Sequence, residues 1–129
     1  MAEIICLDTS VLIDYFRKKN KSKTYLFSLT NSFSEFGITS ITLFEIFRGS
    51  TNQQLEFWET LFKEFKIFSF DIHSARIASE LDRKLRGKNL SIGIPDLFIA
   101  SIALHNDLLL ATLNKRHFER VENLKIFKD

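Results

Sequence analysis

Three acidic residues interrupt apolar segments of the chain, and their side chains are the first candidates for chemistry. Asp8 follows "IICL", Glu45 lies within "ITLFEIF", and Asp96 lies within "GIPDLFIA". Asp8 is placed to cap a helix, and Thr42 and Glu45 have the spacing of a capping box. Asp96 follows a proline that suits a helix start, where an acid complements the helix dipole. Burying an unpaired carboxylate is unfavourable, so binding or catalysis is the alternative role for all three acids.

The elements that must position these acids follow from hydrophobic periodicity and from helix start and stop signals. Strands are predicted over 3–8, 36–40, 66–70, 108–112 and 124–127. Helices are predicted over 10–17, 22–33, 41–49, 52–64, 72–86 and 95–106. Alternating strands and helices predict an α/β fold, with one domain over 1–129 and a central, mostly parallel sheet flanked by helices.

The topology of such a sheet would bring the three acids to one edge. Ligand sites in parallel sheets lie outside the carboxyl ends of the strands. Asp8 ends the first strand, and Glu45 lies one turn into the helix after the second. Asp96 begins a helix that must run antiparallel to strand 108–112, and that strand delivers Thr112 and Asn114 to the same edge. Capping accounts for each acid singly, but it does not account for their convergence.

Clustered carboxylates indicate a site for a hard divalent cation. Like charges raise the pKa of their neighbours, and a cation relieves the repulsion. Mg²⁺ takes oxygen ligands, usually one or two carboxylates together with waters and substrate phosphate. Such a site can activate water for in-line attack on a phosphodiester. Arg48, three positions after Glu45, is predicted to pair with that acid or to contact a phosphate.

Composition narrows the class of protein. A length of 129 residues suits one soluble domain, and a net charge of +2 is too small to indicate nucleic-acid binding by itself. The single cysteine excludes an intrachain disulfide, and the sequence has neither zinc-ligand spacing nor a phosphate-binding glycine loop. It has no signal-peptide pattern and no apolar run long enough for a membrane span, so a cytoplasmic protein is expected.

Two other aspartates are expected to have structural roles. Asp14 lies on the first helix beyond Asp8 and is expected to be exposed or paired. Asp71 follows strand 66–70 and is expected to cap the next helix. A phosphoacceptor signalling domain is a second class of function, with Asp71 as its acceptor. That class needs an acidic pair after the first strand, where this chain has Asp8 followed by Thr9.

The motifs together resemble those of a PIN-domain ribonuclease, and within that family those of a VapC-type toxin of a toxin–antitoxin pair. The stretches that carry the resemblance are "LDTSVLIDYFR", "TSITLFEIFRG" and "GIPDLFIASIALHNDLLLATLNKRHFERV". They occur in the family's order and span nearly the whole chain. The resemblance implies a PIN-like fold and endoribonuclease activity that depends on Mg²⁺, for which Mn²⁺ can substitute.

The resemblance also implies roles for individual residues. The acids on the family's catalytic and metal-binding positions are Asp8, Glu45 and Asp96. Hydroxyl groups that would orient these acids or a water belong to Thr9, Ser10 and Thr112. Members often carry a further acid in the last motif, where Asn114 and His117 are the candidates here. Asn114 would supply a neutral carbonyl oxygen, so a second metal ion is in question.

Family membership would further imply a homodimer and an antitoxin encoded nearby, whose C-terminal segment lies over the active site. The phenylalanine-rich helices 24–33 and 55–65 could supply apolar surfaces for these partners, although core packing explains most phenylalanines equally simply. A catalytically silent PIN-like module that binds RNA or protein is a third class of function, because Asn114 stands where an acid is common.

Overall fold

A five-stranded sheet forms the centre of the molecule in the computed structural model, which describes residues 3–128. The strands are β1 (Ile4–Leu7), β2 (Glu35–Thr39), β3 (Lys66–Phe68), β4 (Leu109–Ala111) and β5 (Lys125–Ile126). Their order is β3-β2-β1-β4-β5, and every adjacent pair is parallel. The predicted α/β fold is therefore confirmed. The order reverses between β1 and β4, and a parallel sheet opens a ligand crevice at such a switch point.

Seven α-helices in residues 3–128 cover both faces of the sheet. They are α1 (Thr9–Arg17), α2 (Tyr25–Leu29), α3 (Ser40–Arg48), α4 (Asn52–Phe62), α5 (Ile72–Gly87), α6 (Ile94–His105) and α7 (Lys115–Phe118). Side chains alternate between the two faces of a strand. On β1, Ile5 and Leu7 accordingly pack in the core beneath α1 to α4, and Cys6 packs in the core beneath α5 to α7.

The central position of β1 and α6 explains their apolar sequences. Ile5, Cys6 and Leu7 are fully buried, as are Ile99, Ala100, Ile102 and Ala103 on α6. An element covered on several sides loses the polar face of a surface helix. The two buried segments fix the start of α1 and the start of α6 against the core, and these starts carry Asp8 and Asp96.

Several predicted elements differ from those observed. The helix expected over 22–33 is a 3₁₀ turn (Lys21–Lys23) followed by the short α2, because Asn20 and Thr24 each cap a new turn with a side-chain oxygen. Helix α7 was not predicted, since four residues are too short to show periodicity. The strands predicted over 66–70 and 108–112 are each shorter in the structure.

The proposed capping box at Thr42 and Glu45 is wrong. Helix α3 begins at Ser40, and its N-cap is Thr39, whose hydroxyl accepts the Thr42 backbone N–H. Glu45 therefore lies beyond the first turn, where a capping role is unavailable to it. None of the helices within residues 3–128 is long and apolar enough to cross a membrane.

Candidate active site at the carboxyl edge of the sheet

Asp8 lies at the switch point between β1 and β4 and caps helix α1. Its backbone is extended, and its Oδ1 accepts the Ser10 backbone N–H at 2.9 Å and also the Ser10 hydroxyl. The residue is only 2% exposed. The capping explanation of Asp8 is therefore confirmed, and it coexists with a position in the ligand crevice.

The segment after β4 fixes Asp8 through two parallel relays. The Thr112 hydroxyl donates to Asp8 Oδ2 at 2.6 Å and accepts the Asn114 backbone N–H at 2.9 Å. The Ser10 hydroxyl, which donates to Oδ1, accepts the Leu113 backbone N–H at 3.0 Å. A carboxylate offers about four acceptor positions. The hydrogen bonds from Ser10 and Thr112 use three of them and leave one on Oδ2.

Glu45 projects from α3 toward the start of α1. Its Oε1 accepts the Thr9 hydroxyl at 2.6 Å, and the Thr42 hydroxyl lies 3.1 Å from Thr9 Oγ1. Thr42 is fully buried and Glu45 is half-buried. Thr9 thus orients Glu45, whereas Ser10 and Thr112 orient Asp8.

Asp96 lies in the first turn of α6, with its side chain 26% exposed. The imidazole of His117, on α7, lies with Nδ1 at 3.6 Å from Asp96 Oδ2. His117 is half-exposed, and it pairs with Asp96 as an ion only when protonated. Of the two candidates for the fourth position, His117 contacts Asp96, whereas Asn114 contributes its backbone N–H to the Thr112 relay.

Asp96 links the three acids electrostatically, since its charge acts on Asp8 and the charge of Glu45 acts on Asp96. Burial raises the pKa of Asp8, the charge of Asp96 raises it further, and the hydrogen bonds from Ser10 and Thr112 partly offset this. Burial, followed by the charge of Glu45, raises the pKa of Asp96, and His117 opposes that change. Burial first and repulsion between carboxylates second thus raise the pKa of Asp8 and of Asp96, and perturbed values of this kind are common at functional sites.

The donor set fits a hard cation, although no preformed three-ligand cage is present. No three His, Cys, Asp or Glu side chains within residues 3–128 lie close enough together to hold one ion. Mg²⁺ commonly binds one or two carboxylates and keeps several waters. Asp8 and Asp96 offer oxygen donors and uncompensated negative charge, so these residues match the preferences of such an ion.

Arg48 and Asn114 lie outside the interacting group of acids. The Arg48 guanidinium lies 5.4 Å from the centre of the Phe44 ring, and no ion pair joins it to Glu45 in the described chain. Pairing with Glu45, one of its two predicted roles, is therefore not observed. Asn114 precedes α7 without a side-chain capping bond, and its residue is exposed.

The other two aspartates have the structural roles that were predicted. Asp14 pairs with Lys18 at 2.9 Å and accepts the Tyr25 backbone N–H at 3.0 Å. Asp71 caps α5 by accepting the Ser74 backbone N–H at 2.9 Å. These contacts support helices: Asp14 bonds within α1 and to the start of α2, and Asp71 bonds at the start of α5.

Two contacts at the site were not predicted from the sequence. Thr42 was interpreted as a cap, but its hydroxyl supports Thr9 across the gap between α1 and α3. His117 was named for the fourth position without its contact to Asp96. The run of hydroxyl residues in "ITSITL" is the sequence signal that could have indicated the first contact, since several buried threonines need partners.

The fold and the arrangement of Asp8, Glu45 and Asp96 define a class of protein, and comparison of the sequence with known families identifies that class. The profile of the PIN domain matches residues 5–124. The chain therefore belongs to the PIN-domain family.

Its relatives are more specific than the family as a whole. Ribonuclease VapC1 of Methanocaldococcus jannaschii is 36% identical in an alignment 129 residues long, which covers 95% of this chain and 86% of that protein. Ribonuclease VapC10 of Mycobacterium tuberculosis is 32% identical over 123 residues, which cover 95% and 91% of the two chains. The crystal structure of DNA-bound VapBC from Salmonella typhimurium contains a chain that is 26% identical, with a TM-score of 0.84 and 98% of both chains covered. The chain is thus similar to VapC ribonucleases over almost its full length.

Proposed function

We propose that this protein is a metal-dependent endoribonuclease that hydrolyses RNA phosphodiester bonds as the toxin of a toxin–antitoxin pair. The observation that carries the proposal is the buried carboxylate of Asp8, held at the switch point of the sheet by Ser10 and Thr112 with one acceptor position open and within electrostatic reach of Asp96. The similarity to VapC ribonucleases supports RNA as the substrate.

Asp8 and Asp96 would hold the ion directly. Glu45 would be the third acid of the metal site and would contact the ion through a water molecule. The ion would be Mg²⁺, with Mn²⁺ as a substitute, because the donors are oxygens. When bound, it would supply positive charge next to the phosphodiester and a water of lowered pKa. One ion accounts for the acids present, since Asn114 adds no charge.

The chain's own residues position these groups before substrate arrives. Ser10 and Thr112 hold both oxygens of Asp8 and leave one acceptor position open. Thr9 holds Glu45, whose free carboxylate oxygen can accept a proton from a neighbouring water. His117, beside Asp96 on an exposed helix, is placed to meet a phosphate or a leaving oxygen. Arg48, in its other predicted role, would contact phosphate.

A cleavage assay on RNA tests this proposal. We expect cleavage with Mg²⁺ or Mn²⁺, none with EDTA, and a loss of at least about 100-fold for Asp96→Asn, since even outer-shell changes at metal sites remove 10- to 100-fold. Metal-dependent cleavage that persists undiminished in Asp96→Asn would refute the assignment of Asp96.

The partner of this toxin would be an antitoxin that covers an apolar groove beside Glu45. A cavity of about 320 Å³ lies between α1, α3 and α4. Its wall includes Phe16, whose ring packs against that of Trp58 at a tilt of 32°, with ring centres 5.3 Å apart. Such a surface suits the apolar face of a helix. A homodimer in the cytoplasm is the further expectation, and co-purification with the product of a neighbouring gene, followed by a mass measurement, tests both partners.

A catalytically silent RNA-binding module is the second candidate. It is favoured by the neutral Asn114 and by the lack of a preformed three-ligand cluster within residues 3–128. RNA binding without turnover across several divalent metals would support this candidate over the nuclease. A phosphoacceptor role for Asp71 has less support, because its carboxylate is engaged in capping α5.

A further inference from the structure

A basic groove lies on the α5 face of the molecule, apart from the acids. It is a cavity of about 580 Å³, and the charged residues that line it are Arg83, Lys84, Lys88, Arg120, Glu80 and Glu122. Its floor includes Leu81 and Leu85, which are 9% and 3% exposed. Leu81 and Leu85 are therefore closed off by protein, Ile77 and Leu104 add partly exposed apolar surface, and the charged side chains of the groove are four cations against two acids.

The cations of this basic groove are only weakly neutralised. Glu122 is shared between Lys84 at 3.3 Å and Lys88 at 3.7 Å, and these side chains are all more than half exposed. Exposed pairs of this kind contribute little, so a phosphate can displace Glu122 at small cost. Arg83 is exposed and has no carboxylate partner within residues 3–128.

The basic groove adjoins the acid site through two connections. His73, at the start of α5, stacks on His105, at the end of α6, with ring centres 4.9 Å apart, so the two helices run antiparallel. The end of α5 with Lys88 therefore lies beside the start of α6 with Asp96. Arg120 donates to the Ser91 carbonyl at 2.9 Å in the loop between these helices, three residues after His117.

We infer that the basic groove binds the phosphate backbone of single-stranded RNA that extends from the acid site. The inference rests on the proposed function, because it takes RNA as the substrate. Contacts with phosphate position a strand without reading its bases. The excess of cations in the groove, with Arg83, Lys84 and Lys88 exposed, favours a polyanion such as RNA. The groove would thus hold a part of the RNA strand that lies away from the point of cleavage. This matters because the acids themselves repel phosphate until a metal is bound.

Binding of fluorescein-labelled oligouridine, measured by anisotropy in EDTA over a range of salt concentrations, tests the groove separately from cleavage. For Arg83→Gln/Lys88→Gln we expect Kd to rise at least about fivefold, and the slope of log Kd against log salt to fall by roughly one to one and a half. The matched control is Lys63→Gln/Lys66→Gln, which removes two exposed charges near β3. It should stay within about twofold of the unchanged protein. Arg83→Lys/Lys88→Arg keeps the charges and should keep the affinity.

Several results would overturn the groove assignment. The first is that the unchanged protein does not bind oligouridine. The second is that the groove variant loses no more affinity than the control. The third is that the groove variant loses binding to a partner protein while its affinity for RNA is unchanged. Failure of the proposed function is distinguishable. If the unchanged protein cleaves no RNA with any metal, but the groove variant still loses affinity as expected, the nuclease proposal fails and the groove stands.

Discussion

Asp8 and Asp71 occupy the same local position in two different strand-to-helix connections. Each follows a strand, has an extended backbone and caps a helix through a backbone N–H at 2.9 Å, from Ser10 and Ser74 respectively. They differ in their surroundings. Asp8 is 2% exposed within reach of the charge of Asp96, whereas the Asp71 side chain is 44% exposed beside the imidazole of His105.

The surroundings give the two caps opposite electrostatic character. Burial raises the pKa of Asp8, whereas the hydrogen bond from the Ser74 backbone, with smaller help from nearby histidines, lowers the pKa of Asp71. The cap itself therefore supplies no chemistry. A strand-ending aspartate becomes a candidate ligand when the fold buries it at a switch point beside other carboxylates.

The largest expected difference between the two caps is in RNA cleavage. Asp8→Asn keeps the cap, since asparagine caps as well as aspartate, but it removes the charge at the metal position. We expect its kcat/KM to fall at least about 100-fold. Asp71→Asn, the matched change, should remain within about twofold. Equal losses in the two variants, in a gel assay with Mg²⁺, would remove the distinction.

The relay that holds Asp8 should have the next largest effect. Thr112→Val preserves shape but removes the hydroxyl that bonds both Asp8 and the Asn114 N–H. We expect activity to fall about 10- to 100-fold and unfolding free energy to fall by about 1–3 kcal/mol. Thr60→Val is the control, because the Thr60 hydroxyl bonds only within α4, to the Glu56 carbonyl. Urea unfolding and the cleavage assay measure the two quantities, and parity with Thr60→Val would argue against the relay.

A bound metal ion should stabilise the folded protein through Asp8, and this stabilisation should not depend on Asp71. Mg²⁺ at about 100 times its Kd is expected to add about 2.7 kcal/mol to the unfolding free energy by linkage. The gain should vanish in Asp8→Asn/Asp96→Asn and persist in Asp71→Asn. Thermal unfolding with and without Mg²⁺ measures it, and an undiminished shift in the double variant would place the ion elsewhere.

The smallest expected effect is an opposite pH dependence of stability in EDTA. Because the folded pKa of Asp8 is raised, its contribution is present below the ordinary pKa of about 3.9 and is lost as pH rises through the folded value. The lowered pKa of Asp71 gives a contribution that is present above about 3.9 and is lost as pH falls through the folded value. On moving from acidic to neutral pH, Asp8→Asn should therefore gain stability relative to the unchanged protein, and Asp71→Asn should lose it. Urea unfolding at the two pH values is the measurement, and shifts of the same sign would contradict the comparison.

The sequence predicts most of the fold because its long elements have strong periodicity. Helix α5 and the apolar segments β1 and α6 carry clear patterns and clear starts, so their bounds were close to those observed. Helix α2 was overextended, because the cap at Thr24 competes with an apolar pattern that continues to Phe33. Short elements such as α7 form through tertiary packing of one residue, here the fully buried Phe118.

The site is predictable in its acids and less so in its supports. Strand ends and helix starts indicate that Asp8, Glu45 and Asp96 converge, since topology alone brings them to one edge. The bond from Thr112 to Asp8 joins residues 104 positions apart, so no local pattern specifies it. The contact between His117 and Asp96 likewise depends on where α7 packs against α6. Side-chain geometry decides whether the acids form a preformed three-ligand metal site or interact only through their charges, and the spacing of the acids along the sequence does not reveal it.

The most direct test of the central claim is to locate a bound ion. Crystals grown with Mn²⁺ would be measured for anomalous scattering. We expect a peak within coordination distance of Asp8 Oδ2 and the Asp96 carboxylate, and we expect no such peak in crystals of Asp96→Asn. A peak at Asp71 and His105 instead, in protein that cleaves RNA with Mn²⁺, would contradict it.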